Sequence, residues 1–475
     1  MNHRSARLLA VLAAASLSAC SDAKTPDTPL ASTSPAAPAQ DALASIDGNY
    51  LVRFGGGVPA GFAARVQALG GSVVFAHGGA GIGAVAGLSP EGAARLGELA
   101  GVRSVVADAV SVLDAPAADV AVAQAGALAA TAGSDPTLAW GYPRQWHLRA
   151  MGADRAWAAG RHGSPGVRVA ILDTGLDYRH PDLAGRVDLA ASRSFVPSEA
   201  ALLEANFPGA HPVADLHYHG THVGAIVASN GIIAAGVTSE VTLVGLKVCT
   251  INGRCPVSNV LAGLVYAADL GVEVANMSIA NAFARADSSA AHRDGPSFVA
   301  VVNQALAYVQ RKGTLVVVAA GNQNTDLDHD GNQYRVYCSA PGVVCVSATG
   351  PTSAAGVDGP FVDVDARAGY SNYGRSVVSV AAPGGAAMPV WAACSTFSLV
   401  FSVCQTGAFV VGANGTSAAS PNAAGVAALI AEDVGRDPAR IRARLQQTAD
   451  DRGEPGTDPF YGKGRVNAAR AVGAP

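Results

Sequence analysis

From Trp140 onward the chain alternates short apolar runs with segments of helical spacing. The runs at 167–172, 241–248, 272–277 and 315–320 carry too few polar positions for strands with one wet face. They predict a parallel sheet covered on both faces by helices, the doubly wound α/β architecture, over 138–475. Ahead of it, 46–114 reads as a small α+β domain. Strands are expected at 50–54, 72–75, 83–88 and 102–106, and a helix at 59–69. A second helix starts at Pro90, with Ser89 as its N-cap. The order strand, helix, strand, strand, helix, strand is the ferredoxin-like pattern. Residues 20–45 are rich in Pro, Ala, Ser and Thr and read as a flexible tether. The Ala-rich stretch 115–137 shows little periodicity and reads as a linker.

Composition narrows the class. The chain has 475 residues, 49% hydrophobic and 14% charged, which supplies a large core and excludes disorder of the whole. A formal charge of -4 gives no basic footprint, so no nucleic-acid partner is expected. Arg4 and Arg7, the apolar run 8–17 and the small residues Ser18 and Ala19 read as an export signal over 1–19. The run is too short to span a bilayer as a helix. Leu17-Ser18-Ala19-Cys20 resembles a bacterial lipoprotein cleavage box, which would make Cys20 the acylated N-terminus and a membrane anchor. Ser21 after it leans toward the outer membrane. Seven cysteines less Cys20 leave six, an even number that can pair in an oxidising compartment. They fall as Cys249 near Cys255, Cys338 near Cys345 and Cys394 near Cys404. Spacing alone does not fix the connectivity; local pairing is the expectation.

Three segments carry the chemistry. Val169-Ala170-Ile171-Leu172-Asp173-Thr174-Gly175 delivers one acid at the carboxyl end of an apolar strand, where α/β sheets place their sites. His219-Gly220-Thr221-His222 is the second. Asn414-Gly415-Thr416-Ser417-Ala418-Ala419-Ser420-Pro421 is the third, leading into an Ala-rich helix with Ser417 at its start. A serine hydroxyl needs a base to take its proton, and a histidine held by a buried acid is that base near neutral pH. The order Asp, His, Ser is the subtilisin order.

On these residues the segment from about 140 to 472 resembles the subtilisin-like serine protease family. The resemblance implies Asp173 as triad acid, His219 as general base and Ser417 as nucleophile, with His222 a structural neighbour. Val317-Val318-Ala319-Ala320-Gly321-Asn322 looks like the family's oxyanion strand, with the Asn322 side chain and the Ser417 N–H as the two donors. Ser278, Ile279 and Ala280, together with Ala319, Ala320 and Gly321, would bind substrate backbone as an added strand. Ala280 stands where the family commonly has Gly, which implies a bias toward small side chains before the cut. His180-Pro181-Asp182-Leu183 and Tyr370-Ser371-Asn372 match the family as well.

The same resemblance makes 46–114 a propeptide, an intramolecular chaperone and inhibitor, with self-processing within about 115–137. The lipid would lie on the propeptide side, so processing would release the mature enzyme from an outer-membrane or periplasmic anchor. Protein or peptide substrates are the expected partners, and a monomer is the expected state. No cofactor is needed for the chemistry. Structural calcium is a separate question. The turn at 228–233 looks shorter than the family's calcium loop, although Asp182 matches one of its ligands. Asp326, Asp328 and Asp330 with Gly331 resemble the start of another calcium loop, but Tyr337 stands where a Glu is expected, and a solvated acidic loop reads equally well. A zinc reading of His217, His219 and His222 would leave the Ser and Asn motifs without a role. The rivals are a catalytically silent binding module and another acyl-transfer activity.

Overall fold

The computed structural model describes residues 30–31, 44–113, 120–125, 135–284, 295–329, 331 and 333–475. Cys20 and Asp330 lie outside them, as does most of the stretch read as signal and tether. No helix among the described residues is long and apolar enough to cross a membrane.

The small domain is built from strands β1 (Ala44–Phe54), β2 (Ser72–His77), β3 (Ile82–Ala86) and β4 (Val102–Val112) and helices α1 (Phe62–Ala68) and α2 (Pro90–Gly97). The strands pair antiparallel in the order β4-β1-β3-β2, the ferredoxin-like arrangement. Ser89 caps α2, its hydroxyl accepting from the Gly92 N–H at 3.1 Å. One face of this sheet packs Val52, Phe54 and Val85 against Phe62, Val66 and Leu96 of the helices. Alternate residues Leu51, Ile82, Ala84 and Val106 point the other way, into a core shared with the larger domain. β4 runs well past the expected 102–106 because its far end finds a partner there.

The larger domain holds a seven-stranded parallel sheet. Its strands include β6 (Arg168–Asp173), β7 (Thr242–Lys247), β9 (Val274–Met277), β10 (Leu315–Ala319), β11 (Val344–Thr349) and β12 (Val380–Pro383). Their order is β12-β11-β10-β9-β6-β7, with Arg193–Ser194 at the far edge. Val169 and Ile171 of β6 face one core, while Ala170 and Leu172 face the other. Burial on both faces is the reason the runs read as continuously apolar. Helices α3 (His219–Val227) and α6 (Thr416–Val434) cover one face; α4 (Val257–Leu270) and α5 (Gly295–Arg311) cover the other.

Between the two domains, part of the stretch read as a linker is a strand, β5 (Ala121–Gln124). It joins a sheet with β13 (Val390–Ala393) and β14 (Phe409–Ala413), in the order Leu30–Ala31, β5, β14, β13. Its two-residue alternation of Val and Ala is real but is masked by the Ala-rich composition around it. The six cysteines pair locally, as Cys249–Cys255, Cys338–Cys345 and Cys394–Cys404, and all six are buried.

Candidate active site

Asp173 ends β6, the strand at which the sheet order turns back on itself, and is fully buried. His219 opens α3. Its Nδ1 lies 2.8 Å from Asp173 Oδ1. A carboxylate only accepts, so Nδ1 carries the proton. The same Oδ1 accepts from the Thr174 N–H at 2.7 Å, which fixes the carboxyl plane.

Asp215, unremarked in the sequence, ties this pair together. Its Oδ1 accepts from Thr174 Oγ1 at 2.8 Å and its Oδ2 from the Thr221 N–H and hydroxyl at 2.8 and 2.7 Å. Thr174 Oγ1 in turn accepts from the Gly220 N–H at 2.9 Å. The strand end that carries Asp173 and the helix start that carries His219 are therefore clamped to one buried carboxylate. The other histidines of the cluster are structural. His222 Nε2 lies 3.0 Å from the Val390 carbonyl, and burial lowers its pKa to about 4. His217 Nδ1 accepts from the His219 N–H at 3.3 Å.

Ser417 is the second residue of α6 and half-buried between the buried Thr416 and Ala418. Asn322 follows β10. Its Oδ1 accepts from the Thr416 N–H and hydroxyl, both at 2.9 Å, which fixes the amide so that Nδ2 faces the other way. A Cβ placed on Gly415 would sit 2.9 Å from Ser417 Oγ and 3.2 Å from Asn322 Nδ2. Ser417 Oγ and Asn322 Nδ2 thus border one small space, and only a glycine leaves that space open.

The residues expected to bind substrate divide. Ser278 Oγ donates to the Ser417 carbonyl at 2.8 Å and lies 3.0 Å from Ser420 Oγ, so its side chain braces α6. Ile279 is fully buried. Ala280 faces Gly321, where an added Cβ would come within 3.5 Å of the Ala280 methyl. Gly321 has φ +101°, a conformation open to glycine, and its N–H donates to Thr416 Oγ1 at 2.9 Å. Asn372 holds the 320–325 loop, donating to the Ala320 carbonyl at 2.9 Å and accepting from the Gln323 and Thr325 N–H groups.

The acidic loop reads as a loop in the structure. Asp326 Oδ2 lies 2.8 Å from His329 Nδ1, and that hydrogen bond holds its carboxyl below the usual range. Asp328 accepts from the Arg375 and Ser376 N–H groups and from the Ser376 hydroxyl at 2.5 Å. Among the described residues no group of three or more His, Cys, Asp or Glu side chains is arranged to hold a metal. At the short turn, Asp182 accepts from the Ile232, Ile233 and Ala234 N–H groups at 3.0, 2.8 and 3.0 Å.

The small domain docks on the larger one. The far end of β4 pairs antiparallel with β8 (Arg254–Pro256), Val112 opposite Arg254 and Ser111 opposite Cys255. The Leu113 N–H donates to the Gly253 carbonyl at 2.8 Å. Asp108 caps α4, its carboxylate accepting from the Ser258 N–H at 3.1 Å and the Ser258 hydroxyl at 2.5 Å. Burial pushes its pKa up to about 6. Gln304 donates to the Ala80 and Gly81 carbonyls, and His77 Nε2 meets Asp269 Oδ2 at 2.9 Å.

A parallel α/β sheet with this Asp, His and Ser at its strand and helix ends defines a class of serine peptidases. Residues 164–464 match the subtilase family, and the chain belongs to that family; it is a serine endopeptidase. It is 32% identical over 322 residues to a thermophilic serine proteinase of Bacillus sp. (strain AK1), covering 67% of this chain and 64% of that one. Over 332 residues it is 31% identical to thermitase of Thermoactinomyces vulgaris, covering 69% and 96%. Subtilisin BL of Lederbergia lenta is 30% identical over 333 residues, covering 69% and 98%. Among solved structures, the epidermin leader peptide processing serine protease of Staphylococcus aureus shares the fold with a TM-score of 0.68 at 20% identity, covering 90% of this chain and 97% of that one.

Proposed function

We propose that the chain is an exported, self-processing endopeptidase in which Ser417 is the nucleophile. Ser417 Oγ attacks the carbonyl carbon of the scissile peptide bond as its proton passes to His219 Nε2. Asp173 holds the imidazole and balances the charge it gains. The carbonyl oxygen, now an anion, is received by Asn322 Nδ2 and the Ser417 N–H. The His219 proton then goes to the leaving amine, and water attacks the acyl-enzyme by the same route in reverse. No metal or cofactor enters these steps. The observation that carries the reading is the convergence of Ser417 Oγ and Asn322 Nδ2 beside Gly415, with the Asp173–His219 pair at 2.8 Å.

The docking of the small domain on β8 supports its reading as a propeptide, since its last strand adds to an edge strand of the larger domain. With Cys20 as lipid anchor on that side, processing would free the peptidase once the pairing of Leu30–Ala31 with β5 also opens. The Ala280 methyl facing Gly321 supports a preference for slim side chains before the cut; a peptide library that returned Phe or Tyr there would refute it.

The deciding experiment is the intact mass of the chain from Ser21 onward, wild type beside Ser417→Ala. Cleavage between the domains in the wild type alone establishes Ser417 as nucleophile and the small domain as propeptide. If both stay whole and neither cuts peptides, the silent binding-module reading takes over.

A further inference from the structure

The range expected to carry the processing cut, 115–137, has β5 in its middle, so the cut falls on one side of that strand or the other. The two sides have different consequences. β5 is an interior strand, paired with Leu30–Ala31 on one edge and with β14 on the other. Its ladder with β14 runs from Gln124 opposite Phe409 to Ala121 opposite Gly412, and the Ala125 N–H donates to the Ala408 carbonyl at 2.9 Å. Val120 and Val122 are 4% and 3% exposed, packed with Tyr218, Phe401, Phe409, Val411 and the Cys394–Cys404 disulfide. Ala123 and Ala125 point to the opposite side, against Trp391, Val410 and Ile233.

Both groups lead to the catalytic machinery. Tyr218 directly precedes His219. β14 runs straight into Asn414, Gly415, Thr416 and Ser417. Stripping β5 would leave a row of backbone donors and acceptors on β14 without partners and would uncover the apolar side chains beneath it. We propose that β5 is a permanent strand of the mature peptidase: processing leaves Val120 on the enzyme side, and Ala121–Gln124 stays on β14 as a positioning element for His219 and Ser417. This rests on the self-processing reading above and refines where its product begins.

The test has two parts. First, the N-terminus of the active product is mapped by mass and terminal sequencing. A product that retains Ala121–Gln124 is expected; a fully active product that begins beyond Gln124 overturns the proposal. Second, Val122→Asp is compared with Val122→Ile on a short chromogenic peptide, with active sites titrated. Val122→Asp is expected to lower kcat about tenfold with KM within about twofold, and Val122→Ile to keep both. A Val122→Asp enzyme with wild-type kcat overturns the positioning role. If Val122→Asp does not accumulate as folded protein, the mapped N-terminus decides. If the wild type neither processes itself nor cuts the peptide, the underlying peptidase reading falls, and this proposal falls with it.

Discussion

Thr174 Oγ1 donates to Asp215 Oδ1 at 2.8 Å, one residue beyond Asp173, the acid bonded to the His219 imidazole. Through the other oxygen of Asp215, the same carboxylate holds Thr221, two residues beyond His219. The Asp173–His219 geometry is therefore set from behind. Asp215→Asn turns an amide donor toward a group that already donates. It should cost about 1–3 kcal/mol of stability, the usual effect of a mismatched buried polar group. Turnover should fall with KM nearly unchanged. Thermal melts in a Ser417→Ala background, beside kinetics of the single variant, measure the two effects separately. A variant that melts and turns over as wild type would remove Asp215 from the account.

Asn322 has two roles, one on each side of its amide. In the proposed mechanism Asn322→Ala removes an oxyanion donor, and kcat should drop about 100- to 1000-fold. It also removes the acceptor for the Thr416 N–H and hydroxyl, so the melting temperature should fall as well. Steady-state kinetics on a chromogenic peptide check the first effect. Calorimetry checks the second.

Gly415→Ala tests the shape of the site. A methyl at 2.9 Å from Ser417 Oγ and 3.2 Å from Asn322 Nδ2 invades the space between nucleophile and donor. Loss of activity by about 100-fold or more is expected, since near-attack geometry is sensitive to displacements of about 1 Å. Gly415 is in an extended conformation, so the fold should survive, and a cooperative melt close to wild type would show that it does.

Acid should unfold this protein through its histidines. Burial lowers the pKa of His147 to about 3 and that of His222 to about 4, against an ordinary value of 6.5. Both are neutral in the folded state, and the unfolded chain binds the extra protons. Their contribution is therefore complete above pH 6.5 and is lost as pH falls toward 4 and 3. Each costs about 1.4 kcal/mol per pH unit inside that window. Asp108, whose pKa burial raises to about 6, takes its proton in the folded state and works the other way, so the histidine slope is read as a difference: urea melts of Ser417→Ala with and without His147→Gln at pH 7, 6 and 5. A difference that is flat over that range would contradict it.

The residues legible in the sequence were those whose partners are local or whose place is a strand end. Asp173, His219, Asn322 and Ser417 each close an apolar run or open a helix, and the cysteines pair with near neighbours. What was not legible depends on groups far apart in the chain. Nothing near Asp215 or Asp108 marks them as buried acceptors, because a carboxylate that caps a remote N–H reads the same as one in water. β5 was hidden because its partner β14 comes almost at the end of the chain. β4 outran its expected length for the same reason, since β8 belongs to the other domain. Ser278 belongs to the expected segment, yet its hydroxyl braces α6, which only the packing of that helix decides. At Asp182 the sequence placed the residue but not its partners, which are three N–H groups of the turn.

The bond between Cys249 and Cys255 closes a tight loop from the end of β7 to β8, with the Thr250 N–H donating to the Arg254 carbonyl at 2.9 Å. While the small domain is present, β4 alone would keep β8 extended. If the small domain departs as proposed, the covalent link keeps β8 in the shape of a strand, and a peptide taking the place of β4 would meet it without the entropy of ordering it again. The disulfide would then be a memory of the departed domain. The Cys249→Ser/Cys255→Ser variant, which leaves the other two disulfides in place, should erase it selectively: on a peptide that pairs with β8, KM rises while kcat stays where it was.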